Sequence, residues 1–227
     1  MIIGINGYAG SGKDTVGVII QYLTSSYKPC AIEDCLKTNQ DFSRYTDWEI
    51  KKWAGKLKTI ASLLTGIPTE KFEDQEFKKT YLRDPWSEKG YDVATGKYWL
   101  RPMTVREFLQ KLGTDALRTG LHTNTWVNAL MSDYYIKKCD CPTECRCKFD
   151  IHNWIITDTR FPNEAQAIKD VGGLVIRVDR PGVKPINDHP SEIGLDDWNF
   201  DYKIANVSDL KALTATVEGI LKKENIL

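Results

Sequence analysis

The stretch GYAGSGKDTV, residues 7–16, sets three glycines around a lysine and a hydroxyl-bearing residue. Glycines let successive backbone amides curl around an anion, and a helix starting there adds the positive end of its dipole. Gly10, Ser11, Gly12, Lys13, Asp14 and Thr15 supply those amides, and the Lys13 ammonium can follow a phosphoryl group in transfer. The usual phosphate-loop pattern is Gly, four residues, Gly, Lys, then Ser or Thr. Gly7, Gly12 and Lys13 meet it, Asp14 breaks it, and the hydroxyl arrives one position late at Thr15. Asp14 has two readings: it holds Mg2+ through water, or it points outward and merely favours the helix start. Thr15 can hydrogen-bond a phosphate in either case. A plain Gly/Ser turn is the competing reading. The flanking apolar run at residues 1–5 and the helical pattern from Lys13 speak against it.

A second constellation is TDTRFPNE, residues 157–164. The apolar run before it predicts a central strand, with Asp158 and Arg160 at its carboxyl end, where open α/β sheets bind ligands. An acid there can orient Mg2+-bound water or an acceptor oxygen, and an Arg can clamp phosphate through two parallel bonds. The alternative is a structural ion pair between the two.

A third is CDCPTECRC, residues 139–147. Thiolates of Cys139, Cys141, Cys145 and Cys147 can hold a structural zinc tetrahedrally. The pairs are spaced more tightly than in usual zinc sites, so a surface hairpin with reduced thiols is the alternative. A closed four-thiolate site leaves no open position for catalysis.

These residues need elements to position them. The patterns predict strands at 1–5, 154–157, 174–178 and 202–205, with a short strand at 30–32 as a further candidate. They predict helices from Lys13, over 104–112, 125–137 and 163–171, and a terminal helix capped by Ser208. Thr104 and Glu107 form a capping-box pattern. A helix from Ile50 to Leu64 has an ambiguous start, because residues 48–53 also alternate as a strand would. Residues 69–101 read as a charged, aromatic, partly mobile insertion, and residues 180–198 as a loop or lid. Alternating strands and helices imply an α/β fold with a mainly parallel sheet covered on both faces.

The chain has 227 residues, with Lys+Arg and Asp+Glu both 31. That balance argues against a general nucleic-acid or membrane-surface binder. No run approaches the ~18 apolar residues of a membrane span. The start of the sequence reads as a strand with no leader, and the six cysteines do not read as a secreted disulfide framework. The expectation is a soluble cytoplasmic protein.

Four stretches taken together resemble one family: GYAGSGKDT, LQKLGTDALR, DTRFPNEAQAIKDVGGLVIRV, and DHPSE followed by IAN. A fifth, KKWAGKLKTIASLLTGI, looks like that family's acceptor-side helix. The chain resembles the deoxynucleoside monophosphate kinases of bacteriophages, relatives of adenylate kinase among the P-loop kinases. In that family Lys13, Asp14 and Thr15 form an ordinary loop ending. The resemblance implies a three-layer P-loop kinase sandwich, one domain over residues 1–227, with an acceptor-binding insertion (46–138), a cysteine-rich hairpin (139–150) and a lid-like loop (180–198).

The resemblance also implies ATP and Mg2+, a deoxynucleoside monophosphate (dNMP) as acceptor, and the host cytoplasm as location if the protein is phage-encoded. Lys13, Asp14 and Thr15 would serve ATP phosphates and Mg2+, and Lys13, Asp158 and Arg160 would carry catalysis. Glu164 would lie near the acceptor, with Lys56, Lys58, Arg106, Gln110 and Arg118 on the acceptor side; a solvated helix face is the alternative for the lysines and Arg106. Arg180 would begin the lid, and Asn206 would lie near the donor purine. Monomer and homodimer both remain open. Two other functions compete: a kinase for another small phosphorylated acceptor, and a nucleotide-dependent nucleic-acid-binding module. The acceptor helices weigh against the first, and the zero net charge against the second.

Overall fold

The computed structural model describes residues 1–38, 40–135, 153–185 and 190–227. Its strands are β1 (Ile2–Asn6), β2 (Trp48–Lys51), β3 (Glu88–Asp92), β4 (Lys97–Arg101), β5 (Asn153–Ile156), β6 (Leu174–Asp179) and β7 (Tyr202–Ala205). Its α-helices are α1 (Lys13–Thr24), α2 (Ile32–Lys37), α3 (Gly55–Thr65), α4 (Val105–Gln110), α5 (Thr125–Tyr135), α6 (Pro162–Asp170), α7 (Pro190–Ile193) and α8 (Leu210–Lys223). The chain forms two compact units, one of Met1–Trp53 with Leu130–Leu227, the other of Ala54–Ala129.

The first unit is built on a five-stranded sheet in the order β2-β5-β1-β6-β7. Every pair is parallel, so each connection must cross over through other elements. β1 lies at the centre, and all five of its residues are buried. Ile2, Ile3 and Ile5 suit a strand covered on both faces. Ile3 and Ile5 pack with Val16, Ile19 and Ile20 of α1 and with Leu213 and Val217 of α8. Side chains alternate across a strand, so Gly4 faces the other way, toward Ile168 of α6. Helices therefore cover both faces, as a P-loop kinase fold requires.

Two expectations in this unit need correction. Residues 30–32 are not a strand: the amides of Asp34 and Cys35 both donate to the Ala31 carbonyl (3.1 Å each), starting α2, and Cys30 is joined to Cys35 by a disulfide. The cap of α8 is Asp209, whose Oδ1 accepts from the Ala212 amide at 2.8 Å, one residue after the expected Ser208. The ambiguous stretch at 48–53 resolves in favour of a strand over Trp48–Lys51, which β5 pairs in register, and α3 begins only at Gly55.

The second unit contains α3, three short 3-10 turns, the β3–β4 hairpin and α4. Ala61, Phe72, Leu82, Val105 and Phe108 form its core. Thr104 Oγ1 accepts from the Glu107 amide at 3.1 Å, while the Glu107 carboxylate goes to Arg101 at 2.6 Å. α4 continues as a π-helical stretch over Lys111–Thr119, with i to i+5 bonds such as Gly120 N to Asp115 O at 2.9 Å. Such wide turns are uncommon and frequently occur at functional sites. Among the described residues, no helix is long and apolar enough to cross a membrane.

Candidate active site

The glycine loop joins the end of β1 to the start of α1. Gly12 is the helix cap and adopts a left-handed φ of +96°, which L side chains rarely take. A Cβ at Gly12 would also meet Asn206 Nδ2 at 2.5 Å. Asn206 is close because its side-chain amide donates to Ser11 O at 2.9 Å, while its own amide donates to Asp179 O at 2.7 Å. The residue expected beside the donor purine thus braces the loop backbone. Ser11 is 1% exposed, and its hydroxyl has no hydrogen-bond partner among the described residues.

Lys13 is buried although it carries a charge. Burial pushes its pKa down; Asp14 pulls it back, Arg160 lowers it further, and Asp158 and Glu192 raise it. Five charged residues from three chain segments therefore act on one electrostatic neighbourhood. Lys13 Nζ lies 3.8 Å from Asp14 Oδ2, outside hydrogen-bond range. Asp14 Oδ1 accepts from Thr157 Oγ1 at 2.7 Å and lies 3.9 Å from Lys52 Nζ. The Asp14 side chain reaches toward the end of β5 yet stays 63% exposed. Lys52 and Thr157 were not singled out in the sequence. Their signal was position, since each directly follows a strand of the sheet.

Asp158 Oδ1 accepts the Trp53 amide at 2.8 Å, linking the chain just past β2 and β5. Arg160 Nη1 donates to Glu192 Oε1 at 2.8 Å. Glu164 is 2% exposed, and its Oε2 accepts from the amides of Arg160 (2.8 Å) and Phe161 (3.2 Å). The residue expected at the acceptor therefore holds the turn that carries Arg160.

Sequence reasoning missed Arg177 altogether. It lies in apolar β6 at 7% exposure. It donates to Asn6 Oδ1 (2.6 Å), Asp179 Oδ1 (2.8 Å) and Asp196 Oδ1 (3.2 Å), and its guanidinium stacks 4.5 Å from the Tyr8 ring centroid. The Tyr8 hydroxyl donates to Asp196 at 2.8 Å, and Asn6 Nδ2 donates to Thr159 O at 2.7 Å. This network ties the glycine loop to the strand ends around it. A lone charge inside an apolar strand was the available signal.

In the second unit, Lys56 Nζ donates to Ala129 O at 2.5 Å, and Lys58 pairs with Glu73. Arg106 donates to Gln75 at 3.2 Å. Gln110 ends α4, and Arg118 is buried within the π-helical stretch. In the first unit, Arg180 is exposed in the turn after β6. Cys139, Cys141, Cys145 and Cys147, and residues 186–189 of the lid-like loop, lie outside the described residues.

No group of three His, Cys, Asp or Glu side chains poised for a metal occurs among the described residues. Mg2+ does not need one, since it keeps several waters and takes one or two carboxylates plus substrate phosphates. The exposed Asp14 carboxylate and the neighbouring Thr15 hydroxyl fit that requirement.

Comparison with known proteins finds relatives of the chain. A family model described as deoxynucleotide monophosphate kinase matches residues 86–217. A protein of Acanthamoeba polyphaga mimivirus is 37% identical over 99 residues, 40% of this chain and 47% of its own length. The deoxynucleotide monophosphate kinase of Enterobacteria phage T4 is 32% identical over 119 residues, 52% of this chain and 46% of the relative. The deoxynucleoside-5'-monophosphate kinase of Escherichia phage T5 is 26% identical over 255 residues, 92% of this chain and 90% of the relative. The match thus spans about half the length of the mimivirus and T4 proteins and nearly all of the T5 protein.

Proposed function

Because this chain belongs to the deoxynucleotide monophosphate kinase family, we propose that it transfers the terminal phosphoryl group of ATP to a dNMP, giving ADP and the diphosphate. One observation carries the reading: Lys13 is buried at the start of the glycine-loop helix, 3.8 Å from Asp14, whose carboxylate accepts from Thr157 at the end of β5.

Loop amides from Gly10 to Thr15 cradle the donor phosphates, and Lys13 follows the transferring group. Asp14 and Thr15 would hold Mg2+ partly through water, and the ion would supply neutralisation of phosphate charge. An oxygen of the acceptor phosphate attacks the terminal phosphorus of ATP, and the bond to the bridging oxygen breaks to release ADP. That acceptor oxygen is already ionised near neutral pH, so no strong base is required. Arg160 spreads its planar fork over the oxygens where charge accumulates. Asp158 orients the acceptor side, and Glu164 sets the backbone of Arg160. Lys56, Lys58, Arg106, Gln110 and Arg118 bind the acceptor, Arg180 and Asn206 belong to the donor side, and the enzyme works in the cytoplasm, that of the host if it is phage-encoded. Catalysis by positioning and charge stabilisation suffices for phosphoryl transfer.

The test is a coupled ADP-release assay with ATP, Mg2+ and dAMP, dGMP, dCMP, dTMP and modified pyrimidine dNMPs in turn. At least one acceptor should turn over. No turnover with any of them would refute the reading.

A further inference from the structure

The second half of the expected lid-like loop is firmly built. After α7 the chain turns back at Gly194, where an added Cβ would meet the Arg160 carbonyl oxygen at 3.0 Å and the Pro190 carbonyl oxygen at 2.6 Å. The turn thus lies directly against the backbone of Arg160. Leu195 anchors it, being 1% exposed. Asp196 ties the same turn to the glycine loop through the Tyr8 hydroxyl (2.8 Å) and to β6 through Arg177 (3.2 Å). Glu192 rides on this support. Its side chain is 9% exposed, and its Oε1 accepts from Arg160 Nη1 at 2.8 Å, whereas the Arg160 side chain is 36% exposed. The acid is the sheltered partner and the arginine the more exposed one.

We propose that Glu192 is a positioning residue for phosphoryl transfer, its carboxylate fixing the guanidinium of Arg160 in the orientation that grips the transferring group. The inference rests on the kinase reading above. Glu164 fixes the backbone end of Arg160 through its amide, and Glu192 holds the guanidinium end, so two carboxylates constrain one residue. A guanidinium binds phosphate oxygens in pairs only when its plane is set in advance. A misplacement of about 1 Å can cost on the order of a hundredfold in rate. Glu192 touches no reacting atom in this account and acts only through Arg160.

The test uses the full chain. Glu192→Ala should cut kcat by about a hundredfold. Glu192→Gln, which keeps a hydrogen-bond acceptor but loses the charge, should lose about tenfold. KM for ATP and for the dNMP should stay within about twofold in both, since ground-state binding is untouched. In an Arg160→Lys background, adding Glu192→Gln should cost little more, because both changes remove the same oriented fork. Wild-type kcat in Glu192→Ala, a loss carried by KM, faster turnover, or full additivity with Arg160→Lys would each overturn the proposal. If Glu192→Ala melts, Glu192→Gln answers alone. Arginine side-chain NMR supplies a readout without turnover. The Arg160 Nη signals, assigned with Arg160→Lys, should be separate in wild type and merge in Glu192→Gln. Separate signals that persist in Glu192→Gln would overturn the positioning role. A wild type with this signature but no turnover would refute only the kinase reading.

Discussion

Lys13 and Lys58 are equally hidden, each 8% exposed, yet their charges are met in opposite ways. Lys58, in the second unit, touches the carboxylate of Glu73 directly. Lys13, in the first unit, has Asp14 no nearer than 3.8 Å and feels Arg160 as a second positive charge. Burial pushes its pKa down, so its ammonium is incompletely compensated. A buried cation without close pairing is costly. A bound polyphosphate would supply the missing negative charge. Lys58 already has its partner, and any phosphate it binds must share it with Glu73.

Removing Lys13 breaks the first side of this comparison. Lys13→Met should lower kcat by about a thousandfold, the upper end for losing one transition-state donor. Stability should not follow activity. A folded pKa below the unfolded one means that folding costs most while the amine is protonated in both states. That cost fades as pH rises through the lowered pKa. Lys13→Met should therefore melt no lower than wild type at pH 7, with any gain shrinking at alkaline pH. A lower melting temperature at pH 7 would show that the ammonium is well paired.

Arg160→Lys is the next largest effect. It keeps the charge and loses the planar fork, so kcat should fall by about a hundredfold. If Arg160 binds only the acceptor, KM rises instead. If it is structural, both kinetic constants survive and the melting temperature drops.

Local chemistry made the β1–loop–α1 unit legible, because glycine spacing and an isoleucine run lie side by side in the chain. The parallel sheet followed from alternating patterns, and the helical face of α8 from its apolar period. What stayed hidden depends on residues far apart. Arg177 meets Asn6 across 171 positions, and Arg160 meets Glu192 across 32. No periodicity encodes such pairs. The short helix α2 was misread because Cys30, Ala31 and Ile32 suit a strand by type, while the acids after them start a helix. The π-helical stretch hid inside an ordinary amphipathic pattern, since its wider turns show only in the backbone bonds.

Glu164→Ala sharpens the contrast from the backbone side. It strips two half-buried amides of this acceptor, which should cost about 1 kcal/mol or more in denaturant unfolding. Turnover should fall with it, because the Arg160 backbone loses its anchor. A stability loss with unchanged kcat would confine Glu164 to the fold.

The smallest expected effect lies at Lys58. Its charge is already matched, so binding an acceptor phosphate gains only the difference between sharing with Glu73 and not sharing. A net hydrogen bond of about 1 kcal/mol predicts that Lys58→Met raises KM for the dNMP about fivefold, with KM for ATP and kcat unchanged. Glu73→Gln supplies the opposite sign. If Glu73 competes with the phosphate for Lys58, weakening it should lower KM for the dNMP. If the pair is purely structural, both variants should melt earlier and neither should move KM. If Lys58→Met reduced kcat as strongly as Lys13→Met, the distinction between a closely paired and a loosely paired buried lysine would fail, and both would have to act on the transferring group.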